Sequence, residues 1–219
     1  MVGLPALYRT TVGKKIVMAV TGVMLFLWLL GHMAGNLQIF LGPEKINAYA
    51  HFLHHGFAEI LWIVRAVMLL AVCLHILAAV QVTLASWEAR PVGYAVKKNI
   101  ETSYAARTMI ISGPLLLLYL IYHLLMFTLL KVGPGISETD VYSNVVRAFQ
   151  VPLISVVYIA AMLLLGFHLW HGAWSMLQTL GVNHPKYNRL RKIVATALSA
   201  IIAVGFVSVP VAVLLGIIR

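Results

Sequence analysis

Five apolar stretches dominate this chain, and each is long enough to cross the hydrocarbon core of a membrane. They cover residues 16–41, 60–86, 108–130, 152–180 and 193–218. In lipid, a helix satisfies its own backbone hydrogen bonds, whereas an open strand does not. With 62% hydrophobic and only 10% charged residues, the composition excludes a soluble domain. The sequence therefore predicts an all-α integral membrane protein that forms a single membrane domain over residues 1–219.

Basic residues are unevenly distributed among the connections between these stretches. Three connections are rich in them: Arg9, Lys14, Lys15, Arg90, Lys97, Lys98, Arg107, Lys186, Arg189, Arg191 and Lys192. The other two hold only Lys45, Lys131 and Arg147. Because cytoplasmic connections carry the excess of Lys and Arg, we predict a cytoplasmic N-terminus and an outside C-terminus. The same alternation explains the net charge of +10 without a nucleic-acid partner.

The connections are too short to hold a soluble catalytic domain. The first stretch is too long for a signal peptide and lacks a small-residue cleavage site. Cys73 is the single cysteine, which excludes an internal disulfide and the C-x-x-C-H attachment of a c-type haem. We therefore expect an anchor subunit in which any haem is held by ligation alone.

One histidine lies within each of the first four apolar stretches: His32, His75, His123 and His168. A charged side chain at such depth costs about 2.5 kcal/mol or more, so ionisable groups there are usually functional. At 1.5 Å per helical residue, His32 and His123 lie roughly 10 to 14 Å below the outer helix ends. His75 and His168 lie about 16 to 18 Å above the inner ends. The four residues thus form two pairs at two levels.

Two neutral imidazoles that face each other from separate helices are a ligand set for a six-coordinate b-type haem iron. The pairing by depth predicts two stacked haems in a four-helix core, with the fifth helix packed against it. For any one histidine alone, a hydrogen bond between helices is the simpler explanation. Four histidines that pair by depth favour the haem interpretation.

The chain resembles the diheme cytochrome b membrane anchor of succinate dehydrogenase and fumarate reductase. The resemblance rests on five spans with one histidine in each of the first four, and on three segments: Gly31-His32-Met33-Ala34-Gly35-Asn36, Tyr122-His123, and Phe167-His168-Leu169-Trp170-His171-Gly172-Ala173-Trp174-Ser175. It implies that His32 and His123 bind the distal haem, and His75 and His168 the proximal haem.

The resemblance also implies partners and a location. A flavoprotein and an iron-sulfur protein would dock on the cytoplasmic side of a bacterial inner membrane, and electrons would pass through two haems b to a quinone, with menaquinone favoured. This chain alone would not oxidise succinate. Some fumarate reductases of this type carry a glutamate two residues before the fourth ligand, whereas this chain has Gly166. That difference favours succinate oxidation, with fumarate reduction as the reverse alternative.

Several other residues are candidates for supporting roles. His171 is one turn from His168 and is an alternative ligand, a propionate partner or a polar contact. Arg65, the basic residue within the second stretch, either pairs with a haem propionate or extends to the outer interface. His51, His54 and His55 match one iron-binding box of membrane desaturases, but a quinone contact or a solvated loop fits a lone box better. For His184 we expect only solvent contact.

Two other classes of protein remain as alternatives. A transporter could use buried histidines as a proton relay, but such relays usually include carboxylates, and these spans hold no deep acidic residue. The cytochrome b subunits of formate dehydrogenases and hydrogenases also hold two haems. One ligand in each of four helices fits the succinate type better.

Overall fold

A computed structural model describes residues 4–90, 92 and 102–219 of the chain. Within these ranges every regular element is a helix, and none is a strand. The helices are α1 (Leu4–Tyr8), α2 (Thr11–Asn36), α3 (Pro43–His51), α4 (Ala58–Glu88), α5 (Tyr104–Phe127), α6 (Val141–Gln150), α7 (Pro152–Thr179) and α8 (Asn188–Leu214). Lys97 and Lys98, two of the charges used to predict the cytoplasmic side, lie outside the described residues.

Five of these helices are long and apolar enough to span a membrane: α2 with its 3₁₀ continuation to Leu41, then α4, α5, α7, and α8 with the turn that precedes it. The predicted all-helical membrane fold with five spans is therefore confirmed. Several helices begin before the apolar stretches do. The Thr10 hydroxyl accepts a hydrogen bond from the amide of Gly13 at 3.0 Å, and Ser103 caps α5 in the same way. These caps allow polar residues to form the first helical turn.

Helix α5 ends at Phe127, three residues before the predicted end of its apolar stretch. The amide of Leu129 donates to the carbonyl of Leu124, and the amide of Lys131 donates to that of Leu125. Between them Leu130 has a φ of 52°, a left-handed conformation that turns the chain out of the helix. The predicted span was three residues too long because the residues after Phe127 are still largely apolar, and hydrophobicity does not detect a turn of the backbone.

Each span packs against particular neighbours in the bundle. Helix α2 packs against α4 and α7, α5 packs against α7, and α8 lies along α7 and also contacts α2. Small residues permit the close approaches. A Cβ atom built on Gly166 of α7 would lie 3.0 Å from the Cβ of Ala203 on α8, and one on Gly205 would collide with the Met33 side chain of α2. These contacts are typical of membrane helices, which associate through small residues.

Helix α8 carries none of the four intramembrane histidines, yet it is the most enclosed span. In the most apolar segment of α8, 39% of the residues are buried, whereas only 11% are buried in the corresponding segments of α4 and α5. The fifth helix therefore packs against the core as predicted, while α4 and α5 leave broad apolar faces uncovered. Exposed apolar side chains are expected on faces that contact lipid.

Two connections and the C-terminus meet at one end of the bundle. The side-chain amide of Asn47 in α3 donates to Asp140 at 3.0 Å, and its carbonyl oxygen accepts from the amide of Tyr142 in α6. The Tyr142 hydroxyl donates to the carbonyl of Arg219 at 3.0 Å. A chain that crosses the membrane five times has its C-terminus at the same end as its first and third connections. Which side of the membrane this end faces stays a prediction.

At the opposite end, Arg191 fastens the connection between α7 and α8. Its guanidinium lies 4.5 Å from the centre of the Trp174 ring and donates hydrogen bonds to the carbonyl of Val182 and to the side chains of Asn183 and Asn188. Arg191 is buried. Its hydrogen bonds give a structural role to a charge that the sequence had linked only to membrane orientation.

Candidate functional site

The four intramembrane histidines meet in two pairs, each formed across helices that are not close neighbours. His32 of α2 and His123 of α5 have ring centroids 5.9 Å apart, and we call them the outer pair. His75 of α4 and His168 of α7 have ring centroids 6.5 Å apart, and we call them the inner pair. All four side chains are half-buried.

The two pairs lie at clearly different levels in the bundle. On α2, Thr21, which contacts His75, precedes His32 by eleven residues. On α5, Ser112, which contacts His168, likewise precedes His123 by eleven residues. At 1.5 Å per residue, each interval is about 16 Å along the helix. The two pairs are therefore separate sites within one bundle.

Both ring separations fit a metal ion held between two imidazoles. An imidazole nitrogen binds a metal at about 2 Å, so two rings on opposite sides of one ion have centroids roughly 6 Å apart. Two rings in simple van der Waals contact can have the same separation. Which ring nitrogen carries the proton, and which is free to bind a metal, is therefore a more informative test of a metal site than the ring separation.

The Nδ1 atom of His75 lies 3.0 Å from the carbonyl oxygen of Met18 on α2. A carbonyl only accepts hydrogen bonds, so we assign the proton of a neutral His75 to Nδ1. The second nitrogen, Nε2, then carries the lone pair that a metal requires. The Thr21 hydroxyl, 3.2 Å from the same Nδ1, donates its own proton to the carbonyl of Val17 or Met18 and can accept from His75 as well.

The contacts of His168 and His123 are compatible with the same assignment. Ser112 of α5 lies 3.3 Å from both the carbonyl of Met109 and Nδ1 of His168, so its oxygen can accept from that nitrogen while its proton goes to the carbonyl. The hydroxyl of Tyr158 in α7 donates to the sulfur of Met126 at 3.6 Å and lies 3.5 Å from Nδ1 of His123. Metal-ligating histidines usually have such a partner on the second ring nitrogen. The donor set therefore fits two bis-histidine sites.

Aromatic rings surround the outer pair. The Trp28 ring stacks on His32 at 4.6 Å with an interplanar angle of 12°, and Phe206 of α8 lies 5.8 Å from His32. Around His123, the rings of Tyr119 and Phe127 lie 5.8 and 5.7 Å away. The His32 ring makes no hydrogen bond with any residue that the structure describes. It is held by stacking, whereas the other three rings have hydrogen-bond partners.

The structure places Arg65 near the N-terminal end of α4. Its guanidinium lies 5.0 Å from the centre of the Trp62 ring, and one of its nitrogens is 3.5 Å from Nε2 of His54. Partial desolvation and then the positive charge of Arg65 lower the pKa of His54. A contact between Arg65 and a haem propionate stays a prediction.

The remaining histidines lie apart from the two pairs. The His51 and His55 rings are 4.3 Å apart, and both are exposed. Among the described residues there is no group of three or more side chains placed to hold one metal ion. His171 is half-buried one turn beyond His168, and the exposed His184 caps a short turn by accepting from the amide of Lys186. The role of His171 stays a prediction.

The hydroxyl groups that contact the histidines were not predicted from the sequence. Thr21 and Ser112 are 5% and 1% exposed, although both are polar. A hydroxyl group within an apolar span was the sequence feature that could have indicated these contacts. However, Ser and Thr also bond to their own helix backbone, so only the packing of neighbouring helices separates the two roles.

The fold and the site together define a multi-pass helical membrane protein with two histidine pairs between its spans. A model of the family described as Succinate dehydrogenase/Fumarate reductase transmembrane subunit matches residues 94–207. The match covers just over half of the chain, and the chain belongs to this family. Comparison with curated proteins and with solved structures found no match.

The matched segment contains one member of each histidine pair. His123 and His168 lie within residues 94–207, whereas His32 and His75 precede them. In the structure, each histidine from the unmatched half faces one from the matched half. The family assignment thus rests on the second half of the chain. The histidine pairs show that the first half contributes to the same two sites.

Proposed function

We propose that this chain is the cytochrome b membrane anchor of a succinate dehydrogenase. In this proposal His32 and His123 hold the iron of one haem b, and His75 and His168 hold the iron of a second. The observation that carries the proposal is the meeting of four intramembrane histidines in two pairs, in a member of the succinate dehydrogenase and fumarate reductase family.

A bis-histidine haem b supplies reversible one-electron chemistry at its iron and has no open position for oxygen. The protein would hold each haem and orient the histidine rings that bind its iron. Contacts at Nδ1 of His75, His168 and His123 hold each ring in place and leave Nε2 as the nitrogen that would bind iron. The aromatic rings around His123 and His32 exclude water from the outer site. Two sites at two levels suit electron transfer across the membrane.

Family membership implies association with the catalytic subunits of the complex. We propose that a flavoprotein and an iron-sulfur subunit bind the cytoplasmic face, and that electrons from succinate reach a quinone, with menaquinone favoured, in a bacterial inner membrane. The connections between the described helices are short. The chain would therefore contribute electron transfer and quinone binding, with succinate oxidised on the partner.

Gly166 supports succinate oxidation over fumarate reduction coupled to proton movement. At this position, where some fumarate reductases carry a glutamate, even a Cβ atom would lie 3.0 Å from the Cβ of Ala203. A glutamate would therefore require α7 and α8 to separate. The six acidic residues of the chain all lie at or outside the ends of the spans. Fumarate reduction by the reverse reaction remains the alternative direction.

A cytochrome b anchor of a formate dehydrogenase or hydrogenase is the second candidate, because it also holds two haems between helices. The family match favours the succinate type.

The decisive experiment is a redox titration of the visible spectrum of the purified complex, with haem quantified as its pyridine haemochrome. We expect two haems b per copy of this chain, with separate midpoint potentials. Co-purification with a flavoprotein that oxidises succinate would support the partner assignment. A preparation that retains its partners but contains no haem would overturn the proposal.

A further inference from the structure

The inner histidines are each contacted by a hydroxyl group from a neighbouring helix. Helices α2 and α4 are closely packed, and Thr21 of α2 contacts His75 of α4. Helices α5 and α7 are likewise closely packed, and Ser112 of α5 contacts His168 of α7. In each case the hydroxyl group comes from the adjacent helix, while the ring faces its partner histidine across the bundle.

The direction of these hydrogen bonds follows from the proposed ligation, because a neutral imidazole that binds iron through Nε2 carries its proton on Nδ1. A hydroxyl group has one proton to donate. Ser112 gives it to the carbonyl of Met109, and Thr21 gives it to a carbonyl one turn earlier in its own helix. Each oxygen is therefore left to accept from Nδ1 of the histidine. An acceptor on Nδ1–H increases the electron density at Nε2, the atom that would bind the iron.

We propose that Ser112 is a positioning residue that sets the reduction potential of the inner haem through His168, and that Thr21 has a weaker effect through His75. This inference rests on the proposed function. A more electron-rich imidazole stabilises ferric over ferrous iron, so the hydrogen bond lowers the midpoint potential. Ser112 has the stronger effect because it is the only described acceptor for Nδ1 of His168, whereas His75 also has the Met18 carbonyl.

The test is a redox titration of the S112A complex. We expect the midpoint of the inner haem to rise, with the ratio of reduced to oxidised haem at a fixed potential changing roughly threefold to tenfold, where tenfold corresponds to about 59 mV. The outer haem should keep its midpoint. The T21V variant should shift the inner haem in the same direction by less, and T21S, which keeps a hydroxyl group, should restore the wild-type value.

A buried serine on α8 provides the matched control. Ser199 is 3% exposed, and among the described residues its hydroxyl group bonds only to the carbonyl of Ala195 in its own helix. The S199A variant removes the same atom from an equally buried site and should leave both midpoints unchanged. Electron paramagnetic resonance of the ferric haems gives a second readout, because the g values of the inner haem should change in S112A and stay the same in S199A.

The possible failures are distinguishable. Absence of haem from the wild-type complex would overturn the proposed function. Two haems in the wild type, with the inner one lost in H168A, together with an unchanged inner midpoint in S112A, would overturn only the role of Ser112. A shift confined to the outer haem would also contradict it.

Discussion

At the scale of single residues, what distinguishes these histidines is the contact that each ring makes beyond its partner. Three rings have a hydrogen-bond partner at Nδ1, supplied by a carbonyl, an aliphatic hydroxyl or a phenol. The fourth, His32, stacks on Trp28 of its own helix. The inner pair is thus held by polar contacts and the outer pair largely by aromatic contacts, a difference that residue spacing did not predict.

Single substitutions of the four histidines should remove haem from one site at a time. H75A and H168A should each lose the inner haem and keep the outer, whereas H32A and H123A should do the reverse, because each pair holds a separate iron. Haem content per chain should fall by about half, measured as the pyridine haemochrome. H184A is the control, since His184 is exposed and apart from both pairs. Loss of haem from H184A, or retention of both haems in H168A, would contradict the pairing.

At the scale of helices, hydrophobicity located the spans, and capping groups set several of their ends. Apolar residues predicted five spans that the structure contains, yet α2 and α5 begin before their apolar stretches because Thr10 and Ser103 cap them. The short helices α3 and α6 were not predicted at all. Both are much shorter than a membrane span and only moderately apolar, so hydrophobic length does not detect them, and their contacts with each other hold them in place.

Asp140 links these two short helices and should make stability depend on pH. It caps α6 by accepting from the amide and hydroxyl of Ser143, and it accepts from Asn47 of α3. The hydroxyl of Ser143 is the main cause that lowers the pKa of Asp140 below its ordinary 3.8, followed by the Ser143 amide and Asn47. Since the folded state favours the carboxylate, its contribution is present above the ordinary pKa and is lost as pH falls through the lowered one.

We therefore expect D140A to lower stability by about 1 kcal/mol at neutral pH, the usual cost of losing an N-cap. The difference from wild type should shrink below about pH 4 as Asp140 itself becomes protonated. Unfolding midpoints in detergent, followed by circular dichroism at several pH values, would measure this. E138A is the control, because Glu138 is exposed and caps no helix. A D140A deficit that stays constant down to pH 3 would exclude the carboxylate as its cause.

The approach of α7 to α8 at Gly166 should tolerate little added volume. G166A would place a methyl group 3.0 Å from the Cβ of Ala203, so the two helices must separate slightly, at a cost of about 1 kcal/mol or more. The double variant G166A/A203G should recover stability. G172A is the control on the same helix, because a Cβ there meets nothing within 4 Å. Unfolding midpoints in detergent would compare the four proteins, and a G166A midpoint equal to that of G172A would show that the contact is not tight.

At the scale of the whole molecule, the connections divide between two ends of the bundle. Helices α3 and α6 and the C-terminus meet at one end, and the connection fastened by Arg191 lies at the other. The proteins of this family work in a complex, so the end that faces the cytoplasm determines where partners bind. Charge distribution predicts that it is the end with Arg191.

Cysteine labelling in intact cells tests this orientation. Cys73 is the single cysteine, so a C73S background allows new cysteines to be placed at exposed lysines. A membrane-impermeant maleimide should label K45C and K131C from outside, and K186C only after the membrane is permeabilised, because these residues lie at opposite ends of the bundle. The reverse pattern would overturn the predicted topology, and labelling of the C73S background itself would invalidate the assay.

The sequence by itself determined the number of spans, their helical nature and the identity of the four histidines, because hydrophobic length and buried ionisable residues act locally along the chain. Their pairing by depth was also predictable, since a helix rises by a constant amount per residue. Only the tertiary structure decided which helices pack together, that α8 is the most enclosed span, and that Thr21, Ser112 and Tyr158 contact the histidines. Those features depend on the rotation of each helix about its axis, which is set by small residues on neighbouring helices.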